Sequence, residues 1–441
     1  MTPRHLLVVD DDPLVHQSLK LVLPPHWRMI SIETLAEIGQ IAAVHGQTSF
    51  HAAFVDMHLS ANEKGEGLRA IERITTFWPL AEVFGISGDQ ALDLMENALQ
   101  SGARRFLSKP ILSEEIHSTL QKVAALWSLR EAGRWIGSSP ASQYVLRRVA
   151  DLQGESGTVL IEGETGCGKE VIAQLLNRQD SRSPRPFVPV NLGAIPESLF
   201  ESEMFGHLRG AFTGADSSRT GLAEAANGGD LFLDEIEACP LPQQVKLLRF
   251  LESGEIRRVG AKEPLHLKVR IIAATNRSLL GLVKQGKFRE DLYFRLCTHR
   301  ITLPPLRDRS TDIEDLCLHF LATHPRGKRK VLATDALVKL RNHAWPGNVR
   351  ELKRVCEQLP LSRLPIVRAC DVDELLTVPA ENPTAANNLE LGLAPLLAQY
   401  ECEILRKALR RSDGEVDKAS QLLNISRSSL YKKMKDYDIE V

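Results

Sequence analysis

The residues GETGCGK, at positions 163 to 169, have the composition and spacing of a loop that binds nucleotide phosphates. They follow the apolar segment Val159-Leu160-Ile161 and fit the pattern G-x-x-x-x-G-K. The glycines let backbone N–H groups turn inward around phosphate oxygens, and the N-terminus of the following helix adds its dipole. Lys169 is expected to reach the β- and γ-phosphates. The predicted nucleotide-binding residues of this loop are Gly163, Glu164, Thr165, Gly166, Cys167, Gly168, Lys169 and Glu170.

A second apolar strand, further along the chain, ends in two acids. Its residues are Asp230-Leu231-Phe232-Leu233-Asp234-Glu235. Such an ending is common by itself, but downstream of a phosphate loop it indicates a nucleotide-hydrolysing site. Asp234 is expected to hold Mg²⁺, and Glu235 is expected to polarise the attacking water.

Another group of polar residues lies in the N-terminal part of the chain, each just after a short apolar run. Because the carboxyl ends of strands in a doubly wound sheet share one edge, these side chains are expected to converge. Three clustered carboxylates make a hard-oxygen site for Mg²⁺, and the metal would neutralise a phosphoryl group arriving on one of them. The converging residues are Asp10, Asp11, Asp56, Ser87 and Lys109.

Composition limits the classes of function. The chain has 441 residues, a length typical of roughly three domains. Its net charge is -1, so any affinity for DNA must be local, and no charge excess favours a membrane surface. Seven scattered cysteines without a C-x-x-C pair predict reduced thiols in a cytoplasmic protein. No signal peptide is apparent, and no apolar stretch approaches the ~20 residues of a membrane span.

The elements that must position these residues alternate between strands and helices. Five short apolar runs predict a doubly wound parallel sheet in the first block: Leu6–Val9, Met29–Ile32, Ala52–Val55, Val83–Ile86 and Arg105–Leu107. Ser113 is predicted to cap the next helix, with Glu114 and Glu115 in its first turn. The apolar series of this helix continues to Trp127. Two readings stay open for its extension, a dimerising signal helix and a plain linker helix.

The first block resembles the receiver domains of two-component response regulators. The resemblance implies that Asp56 accepts the phosphoryl group and that the backbone carbonyl of His58 is a further metal ligand. It implies Mg²⁺ binding or phosphoryl contact for Asp10, Asp11, Asp56, Ser87 and Lys109, and an aromatic switch at Phe106. The loop after Asp56 departs from the family, since no proline lies near Ser60 and the glycine comes only at Gly67. That loop is predicted to be two or three residues longer than usual.

The hexapeptide GAFTGA, at positions 210 to 215 between the two nucleotide motifs, is unsuited to a hydrophobic core. Only Phe212 can pack, and Gly210 and Gly214 free the backbone on either side, which predicts a mobile loop with an aromatic tip. The hexapeptide resembles the surface loop by which NtrC-type enhancer-binding ATPases engage sigma-54. Glu170 agrees with this, because the family carries Glu where other phosphate loops have Ser or Thr. The implied sigma-54 contacts are Gly210, Ala211, Phe212, Thr213, Gly214 and Ala215.

The same resemblance implies further roles in the central block. Asn191 matches the residue that restrains Glu235, and Asn276 matches a sensor of the γ-phosphate. Arg289 and Arg295 match the arginine fingers that one subunit gives to its neighbour's nucleotide, which implies a ring, most simply a hexamer. In Trp345–Leu352, Asn348 is predicted to cap a helix and Arg350 resembles a second sensor.

The last residues form a third block with a helix-turn-helix pattern. Leu396–Leu409, Glu415–Leu423 and Arg427–Lys435 are predicted helices, with Asn424 in a turn and Ser426 as a cap. The segment resembles the Fis-type domain of NtrC-type activators, which implies a dimer on paired half-sites. The predicted DNA-binding residues are Arg427, Ser428, Ser429, Lys432 and Lys433.

These patterns predict a multidomain α/β protein. A flavodoxin-like receiver takes residues 1–125, a signal or linker helix 126–135, an AAA+ domain with a helical lid 136–376, a linker 377–394 and an all-α helix-turn-helix domain 395–441. The resemblance implies a sigma-54-dependent response regulator with ATP and Mg²⁺ as cofactors. Its implied partners are a sensor histidine kinase, sigma-54 RNA polymerase, upstream DNA and further copies of the chain. Two rivals stay open: a DNA-binding scaffold that contacts no sigma factor, and a receiver that only docks and ignores phosphate.

Overall fold

The computed structural model describes most of the chain as two compact units, Met1–Val372 and Asp373–Val441. The described residues are 3–46, 50–59, 65–88, 92–177, 185–213, 215–324, 330–359, 366–376, 401, 405, 408, 412 and 416–436. The longer loop predicted after Asp56 and the predicted linker 377–394 lie largely outside these ranges. Among the described residues, no helix has the length and apolar character needed to cross a membrane.

The N-terminal sheet has five parallel strands in the order β2-β1-β3-β4-β5. They are β1 (Arg4–Val9), β2 (Trp27–Ile32), β3 (Ala52–Asp56), β4 (Glu82–Ser87) and β5 (Arg105–Ser108). The helices between them are α1 (Pro13–Val22), α2 (Leu35–Val44), α3 (Glu66–Phe77) and α4 (Leu92–Gln100). Strand β3 is buried along its whole length, as the apolar runs predict for a parallel sheet covered on both faces. The doubly wound prediction is confirmed.

Helix α5 (Ser113–Ala132) follows strand β5 of the N-terminal sheet and is one continuous helix of 20 residues. The prediction that Ser113 caps it is wrong, because Leu112 occupies the N-cap and its carbonyl accepts from the N–H groups of Glu115 and Ile116. Ser113 is the first helical residue instead. Gly133, with φ of 60°, ends the helix in the left-handed conformation that glycine favours.

The central sheet also has five parallel strands, in the order β14-β6-β13-β10-β7. Its strands are β6 (Val159–Glu162), β7 (Phe187–Asn191), β10 (Asp230–Asp234), β13 (Arg270–Thr275) and β14 (His299–Thr302). Short pairs add β8 (Gly206–His207), β9 (Arg219–Thr220), β11 (Glu255–Ile256) and β12 (Leu265–His266). The helices are α6 (Pro140–Leu152), α7 (Lys169–Leu176), α8 (Phe200–Phe205), α9 (Leu222–Ala225), α10 (Leu241–Ser253), α11 (Leu279–Lys284) and α12 (Glu290–Leu296). Successive residues of β10 pack into two different apolar clusters. Leu231 and Leu233 belong to one cluster, and Phe232 belongs to the other.

A helical region follows the central sheet. It contains α13 (Asp312–Thr323), α14 (Thr334–Asn342), α15 (Asn348–Gln358), α16 (Ala369–Leu376) and the short strands β15 (Val331–Leu332) and β16 (Ile366–Val367). The prediction that Asn348 caps its helix is wrong. Gly347 is the N-cap, while Asn348 has φ of 50° and turns its side chain away from its own helix. Its amide instead donates hydrogen bonds to Glu164 and Thr165.

The second unit contains two described helices, α17 (Val416–Leu422) and α18 (Arg427–Asp436). Ala419, Leu430 and Met434 of these helices form a small core with Leu405 and Ala408. Asn424 between the helices has φ of 51°, and Ser426 Oγ accepts from the N–H of Ser429 at 3.2 Å. The predicted turn and cap are therefore confirmed. Most of the helix predicted at Leu396–Leu409 lies outside the described residues.

Candidate functional site

Three carboxylates meet at the carboxyl edge of the N-terminal sheet. Asp10 and Asp56 are buried and Asp11 is exposed, and one oxygen from each lies within 4.8 Å of the others. Lys109 Nζ lies 2.8 Å from Asp10 Oδ2 and 2.9 Å from Asp56 Oδ2. The N–H of His58 donates to Asp56 Oδ1 at 3.2 Å. The predicted acids and lysine therefore converge, and their clustered oxygens fit a hard divalent cation such as Mg²⁺.

The charges at this edge are tightly coupled. Burial raises the pKa of Asp10, although Lys109 and the N–H of Asp12 pull that pKa down. Burial alone would lower the pKa of Lys109, but its hydrogen bonds to Asp10 and Asp56 outweigh burial and raise the pKa. The lysine is therefore held as a cation beside Asp56, where it can contact an incoming phosphoryl group.

The predicted switch residues lie on the two neighbouring strands. Ser87 is buried at the end of β4. Phe106 lies on the adjacent strand β5, where it pairs in register with Gly85 of β4. A Cβ at Gly85 would come within 2.8 Å of the Phe106 ring, so the glycine makes room for the aromatic side chain. The structure thus gives their places, and their roles in switching stay predictions.

The phosphate loop joins β6 to α7. Gly166 and Gly168 have φ of 78° and 108°, the left-handed region that the motif's glycines allow. Lys169 Nζ donates to the carbonyls of Gly163 and Glu164 at 2.8 and 3.1 Å. The loop therefore curls around the lysine ammonium, and the contact of Lys169 with phosphates stays a prediction.

The helical region contacts this loop through side chains. Asn348 Nδ2 donates to Glu164 Oε2 and to the carbonyl of Thr165, both at 3.1 Å, and its Oδ1 accepts from the N–H of Leu306 at 2.7 Å. Arg307 donates to both oxygens of Glu164, which together with Asn348 lowers the pKa of that carboxyl. Sequence reasoning missed the Asn348 bridge, which explains why its amide is not available as a helix cap.

Arg350 is also near the phosphate loop. A Cβ at Gly166 would lie 3.1 Å from the Cβ of Arg350 and 2.4 Å from the Gly347 carbonyl. The helical region therefore leaves no room for a side chain at Gly166. This places the predicted second sensor on the helix turn that faces the phosphate loop, without testing its role.

The two acids predicted for hydrolysis lie at the end of β10, Asp234 as its last residue and Glu235 directly after it. Asp234 Oδ1 accepts from the N–H of Glu235 at 3.0 Å, and Glu235 has the left-handed φ of 55°. A Cβ at Gly193 would lie 2.3 Å from Glu235 Oε2 and 3.3 Å from Asn191 Oδ1. The catalytic carboxylate predicted at Glu235 therefore rests against a glycine, which sequence reasoning did not single out.

Two asparagines flank this carboxylate. Asn191 pairs in register with Asp234, and its Oδ1 accepts from the N–H of Ala194 at 3.2 Å. On the other side, Asn276 Nδ2 donates to Thr165 Oγ1 of the phosphate loop at 3.2 Å. The sheet edge therefore brings the predicted restraining and sensing residues to opposite sides of the same site.

The two predicted arginine fingers lie on or next to α12. Arg289 forms an ion pair with Asp291 at 2.7 Å, and that hydrogen-bonded carboxylate raises the pKa of the guanidinium. Arg295 Nη2 donates to the Leu251 carbonyl at 3.2 Å. Both arginines are exposed, and the partners named here lie in the same chain. A role at the nucleotide of a neighbouring subunit therefore stays a prediction.

The hexapeptide loop presents its aromatic side chain. Phe212 is 41% exposed, and its ring lies edge-on to His207, 5.0 Å between centroids. The N–H of Gly210 donates to the Ala215 carbonyl at 2.9 Å, which closes the loop at its base. A Cβ at Gly260 would lie 2.9 Å from Ala211 Cβ, so a second loop packs against the first. Gly214 lies outside the described residues.

The predicted DNA-binding helix exposes most of its candidate residues. Arg427, Ser428, Ser429 and Lys432 are exposed, and Arg427 forms an ion pair with Asp417 at 3.1 Å. Lys433 is partly buried and forms an ion pair with Glu401. Arg427 and Lys433 are therefore both ion-paired within their own unit, Arg427 at the exposed surface and Lys433 in a partly buried position.

Family comparisons agree with this three-part organisation. Four family models match the chain: "Response regulator receiver domain" at residues 6–121, "Sigma-54 interaction domain" at 135–302, "AAA+ ATPase lid domain" at 307–385, and "Bacterial regulatory protein, Fis family" at 396–437.

Relatives match the chain over nearly its whole length. The chain is 35% identical to the DNA-binding transcriptional regulator NtrC of Azospirillum brasilense, covering 100% of this chain and 99% of the relative. It is 33% identical to the regulatory protein AtoC of Escherichia coli, covering 99% and 98%. Among solved structures, NtrX of Brucella abortus is similar at 26% identity with a TM-score of 0.53, covering 99% and 100%. NtrX in complex with ATP matches at 27% identity and a TM-score of 0.50, covering 98% and 99%.

Proposed function

The chain belongs to the NtrC-type family of response regulators with a sigma-54 activator domain, and we propose that phosphorylation of Asp56 controls its assembly and ATP hydrolysis. Hydrolysis then remodels the closed complex of sigma-54 RNA polymerase from an upstream DNA site. The observation that carries this proposal is the convergence of a phosphate loop, two acids and Asn276 at one edge of the central sheet. The same domain carries an exposed Phe212.

The receiver step uses residues that already surround Asp56. A carboxylate oxygen of Asp56 attacks the phosphorus of a phosphohistidine on the sensor kinase; a P–O bond forms and the P–N bond breaks. Asp10, Asp11 and Asp56 would hold Mg²⁺, which would supply positive charge for the phosphoryl oxygens. Lys109 stays protonated 2.9 Å from Asp56 and stabilises the added charge. Ser87 and Phe106 then read the phosphorylated state.

The hydrolytic step uses the central sheet. Glu235 orients the attacking water and accepts its proton, while the P–O bond to ADP breaks and inorganic phosphate leaves. Lys169 and the loop N–H groups hold the phosphates, and Asn276 senses the γ-phosphate. Asp234 would hold the metal. Arg289 and Arg295 act on the nucleotide of the neighbouring subunit, so only an oligomeric ring, most simply a hexamer, turns over ATP.

Two surfaces direct this work to a promoter. The loop from Gly210 to Ala215 presents Phe212 to sigma-54, and release of its contact with His207 accompanies engagement. Helix α18 contacts DNA through Arg427, Ser428, Ser429 and Lys432, with Lys433 available only after its pair with Glu401 opens. Because DNA, polymerase and kinase are its partners, we place the protein in the cytoplasm. Domain boundaries at 125, 135, 376 and 394 are part of the same proposal.

The experiment is ATP turnover against subunit concentration, with and without acetyl phosphate, for the intact protein and for Arg295→Ala. A steep concentration dependence that the donor increases and the substitution abolishes supports a phosphorylation-controlled ring. Turnover that is absent or independent of concentration, and unchanged by the substitution, excludes a ring ATPase and favours a DNA-binding scaffold. If turnover is concentration-dependent but indifferent to acetyl phosphate, the receiver is a docking module only.

A further inference from the structure

Helix α5 contributes side chains to two hydrophobic cores. Four of its residues pack in the receiver core with strands β1 and β3: Ile116, Leu120, Val123 and Trp127. Leu126 and Leu129, on another face of the same helix, pack in the core of the AAA+ domain with Val145 and Val149 of α6. Since the helix is continuous, a shift of α5 against the receiver sheet must also move residues inside the AAA+ core.

The chain leaving α5 reaches the phosphate loop within three residues. Trp135 follows Gly133, is 7% exposed and belongs to the same AAA+ cluster as Leu129 and Cys167. A Cβ at Gly168 would lie 3.1 Å from Cζ3 of the Trp135 ring. Gly168, with φ of 108°, is the residue before Lys169. The indole therefore packs directly against the loop backbone that positions the phosphate-binding lysine.

Arg309 also packs on the Trp135 ring. Its guanidinium carbon lies 4.6 Å from the centre of the Trp135 ring, in a cation–π arrangement. Arg309 is 2% exposed, and its Nη2 donates to the Cys167 carbonyl at 2.8 Å. Trp135 and Arg309 thus hold the two consecutive residues Cys167 and Gly168 from outside the nucleotide site.

This contact is not fully satisfied. Nε1 of Trp135 and Nε of Arg309 are both buried and have no hydrogen-bond partner among the described residues. A buried donor without an acceptor costs about 1–3 kcal/mol. Two such donors in one cluster lower the free-energy gap to any second arrangement in which they find acceptors. A second arrangement of the cluster that gave either donor an acceptor would be favoured by that amount.

We propose that Trp135 is a positioning residue for the phosphate loop and that α5 links it to the receiver, so that the state of Asp56 sets nucleotide affinity within a single subunit. This inference rests on ATP binding at the phosphate loop, as in the proposed function. It adds a route that needs no neighbouring subunit, because every contact from α5 through Trp135 to Gly168 lies in one chain.

The test measures the dissociation constant of a fluorescent ATP analogue, at subunit concentrations where turnover is absent. Beryllofluoride with Mg²⁺ imitates the phosphoryl group on Asp56. The proteins compared are the wild type, Trp135→Ala, Trp135→Phe and Trp78→Phe. Trp78 is a matched control, because it is fully buried in the receiver against Phe50 and belongs to a cluster without α5 residues. Thermal unfolding of each variant confirms that it folds.

In the wild type, beryllofluoride is expected to shift the dissociation constant by about fivefold or more, the usual lower size of an allosteric coupling. Trp135→Ala should abolish the shift, Trp135→Phe should keep part of it, and Trp78→Phe should keep all of it. Because coupling is reciprocal, the nucleotide should change the half-saturating beryllofluoride concentration by the same factor. If Trp135→Ala does not fold, a full wild-type shift in Trp135→Phe overturns the proposal.

Other outcomes separate the two proposals. A wild type that binds the analogue with no beryllofluoride shift, or a Trp135→Ala protein that keeps the full shift, overturns the role of Trp135 and leaves the ATPase intact. A wild type that binds no nucleotide overturns the proposed function itself. A shift that grows with subunit concentration assigns the effect to assembly and overturns the single-subunit route.

Discussion

Arg147 of α6 donates from Nε to Oε1 of Glu82 at 3.0 Å, and so joins the AAA+ domain to strand β4 of the receiver. The side chain of Glu82 is fully buried and also contacts Arg104 and Arg130, each at 3.2 Å. Arg104 continues to Asp151 of α6 at 2.6 Å. A buried carboxylate surrounded by three guanidinium groups is stable only while all partners remain in place. The docking of the receiver on α6 therefore depends on this network.

Replacing Glu82 by Gln is expected to loosen the receiver from α6. The substitution keeps the side-chain shape but leaves the arginines without their buried counter-charge, a loss of about 3–5 kcal/mol for a broken buried pair. Hydrogen exchange should rise in α6 and at the start of β4. Asp151→Asn, which leaves the receiver core intact, should show a smaller rise at the same places.

The matched control is Glu115→Gln, because Glu115 pairs with Arg105 at the exposed surface. Exposed pairs contribute about 0–1 kcal/mol, so this variant should exchange like the wild type. Equal exchange in all three variants would show that the network does not hold the two domains together.

The strands of the N-terminal sheet were predictable because each contains a short apolar run, whereas β14 of the central sheet, His299–Thr302, has no such run. Asp10 and Asp56 could be placed together from sequence alone, since the ends of parallel strands must share an edge. The turn at Asn424 and the cap at Ser426 followed from local side-chain chemistry in the same way. The turn and the cap depend on neighbours in the sequence, whereas the meeting of Asp10 and Asp56 depends on the parallel order of the strands.

Features that depend on distant partners were not predictable. Asn348 is a residue type that often caps helices, yet its amide donates hydrogen bonds to Glu164 and Thr165, about 180 residues earlier. Glu82 looks like an ordinary polar start of a strand, and its partner Arg147 is 65 residues away. Ser113 was misplaced by a single residue, because helix ends differ by little in local preference.

Gly193→Ala is expected to lower ATP turnover while leaving nucleotide affinity unchanged. The new methyl group would lie 2.3 Å from Glu235 Oε2, so the carboxylate must move. A displacement of about 1 Å in a catalytic group costs on the order of 10²-fold in rate. Turnover at saturating ATP and the dissociation constant of an ATP analogue are the two measurements.

Gly281→Ala serves as control for the glycine substitution. A Cβ there meets only Ser278 at 3.5 Å, an ordinary contact, and alanine suits the interior of α11. Its turnover should match the wild type. A Gly193→Ala protein with normal turnover would show that Glu235 does not need the present carboxylate position.

Phe212→Ala is expected to separate ATP hydrolysis from its use. The side chain lies outside the phosphate loop and contacts His207, so its removal should leave turnover within about twofold, as expected for an exposed position. Opening of a sigma-54 promoter complex in vitro should be lost. Leu280→Ala, a truncation at a similarly exposed apolar residue, should preserve both activities. Promoter opening by the Phe212→Ala protein would remove the loop from the mechanism.

The stability of the receiver is expected to fall between about pH 6.5 and pH 4 because of His51. Burial lowers the pKa of His51 from 6.5 to about 4, with Arg4 and His5 adding to the effect. In this window the unfolded chain binds a proton that the folded receiver excludes, so the free energy of unfolding decreases as the pH falls. Protonation would also break the hydrogen bond from the N–H of His5 to His51 Nδ1, at 3.1 Å.

His51→Asn isolates this contribution, because asparagine retains an acceptor oxygen and does not titrate in that range. Denaturant unfolding at pH 7, 6, 5 and 4 should give a shallower pH dependence for the variant than for the wild type. Parallel curves for the two proteins would assign the acid sensitivity to other groups.

Mixing two inactive variants is expected to restore ATP turnover. Arg295→Ala should lower turnover by about 10³-fold or more if the guanidinium stabilises the transition state. Glu235→Gln should also be inactive, but it still offers an intact Arg295, which in one subunit donates to the Leu251 carbonyl. In an equal mixture, about a quarter of the sites combine Glu235 of one subunit with Arg295 of its neighbour, if the fingers act between subunits. Recovery to roughly that fraction, measured by phosphate release, supports fingers in trans, whereas a mixture as inactive as its components means that each arginine serves its own subunit.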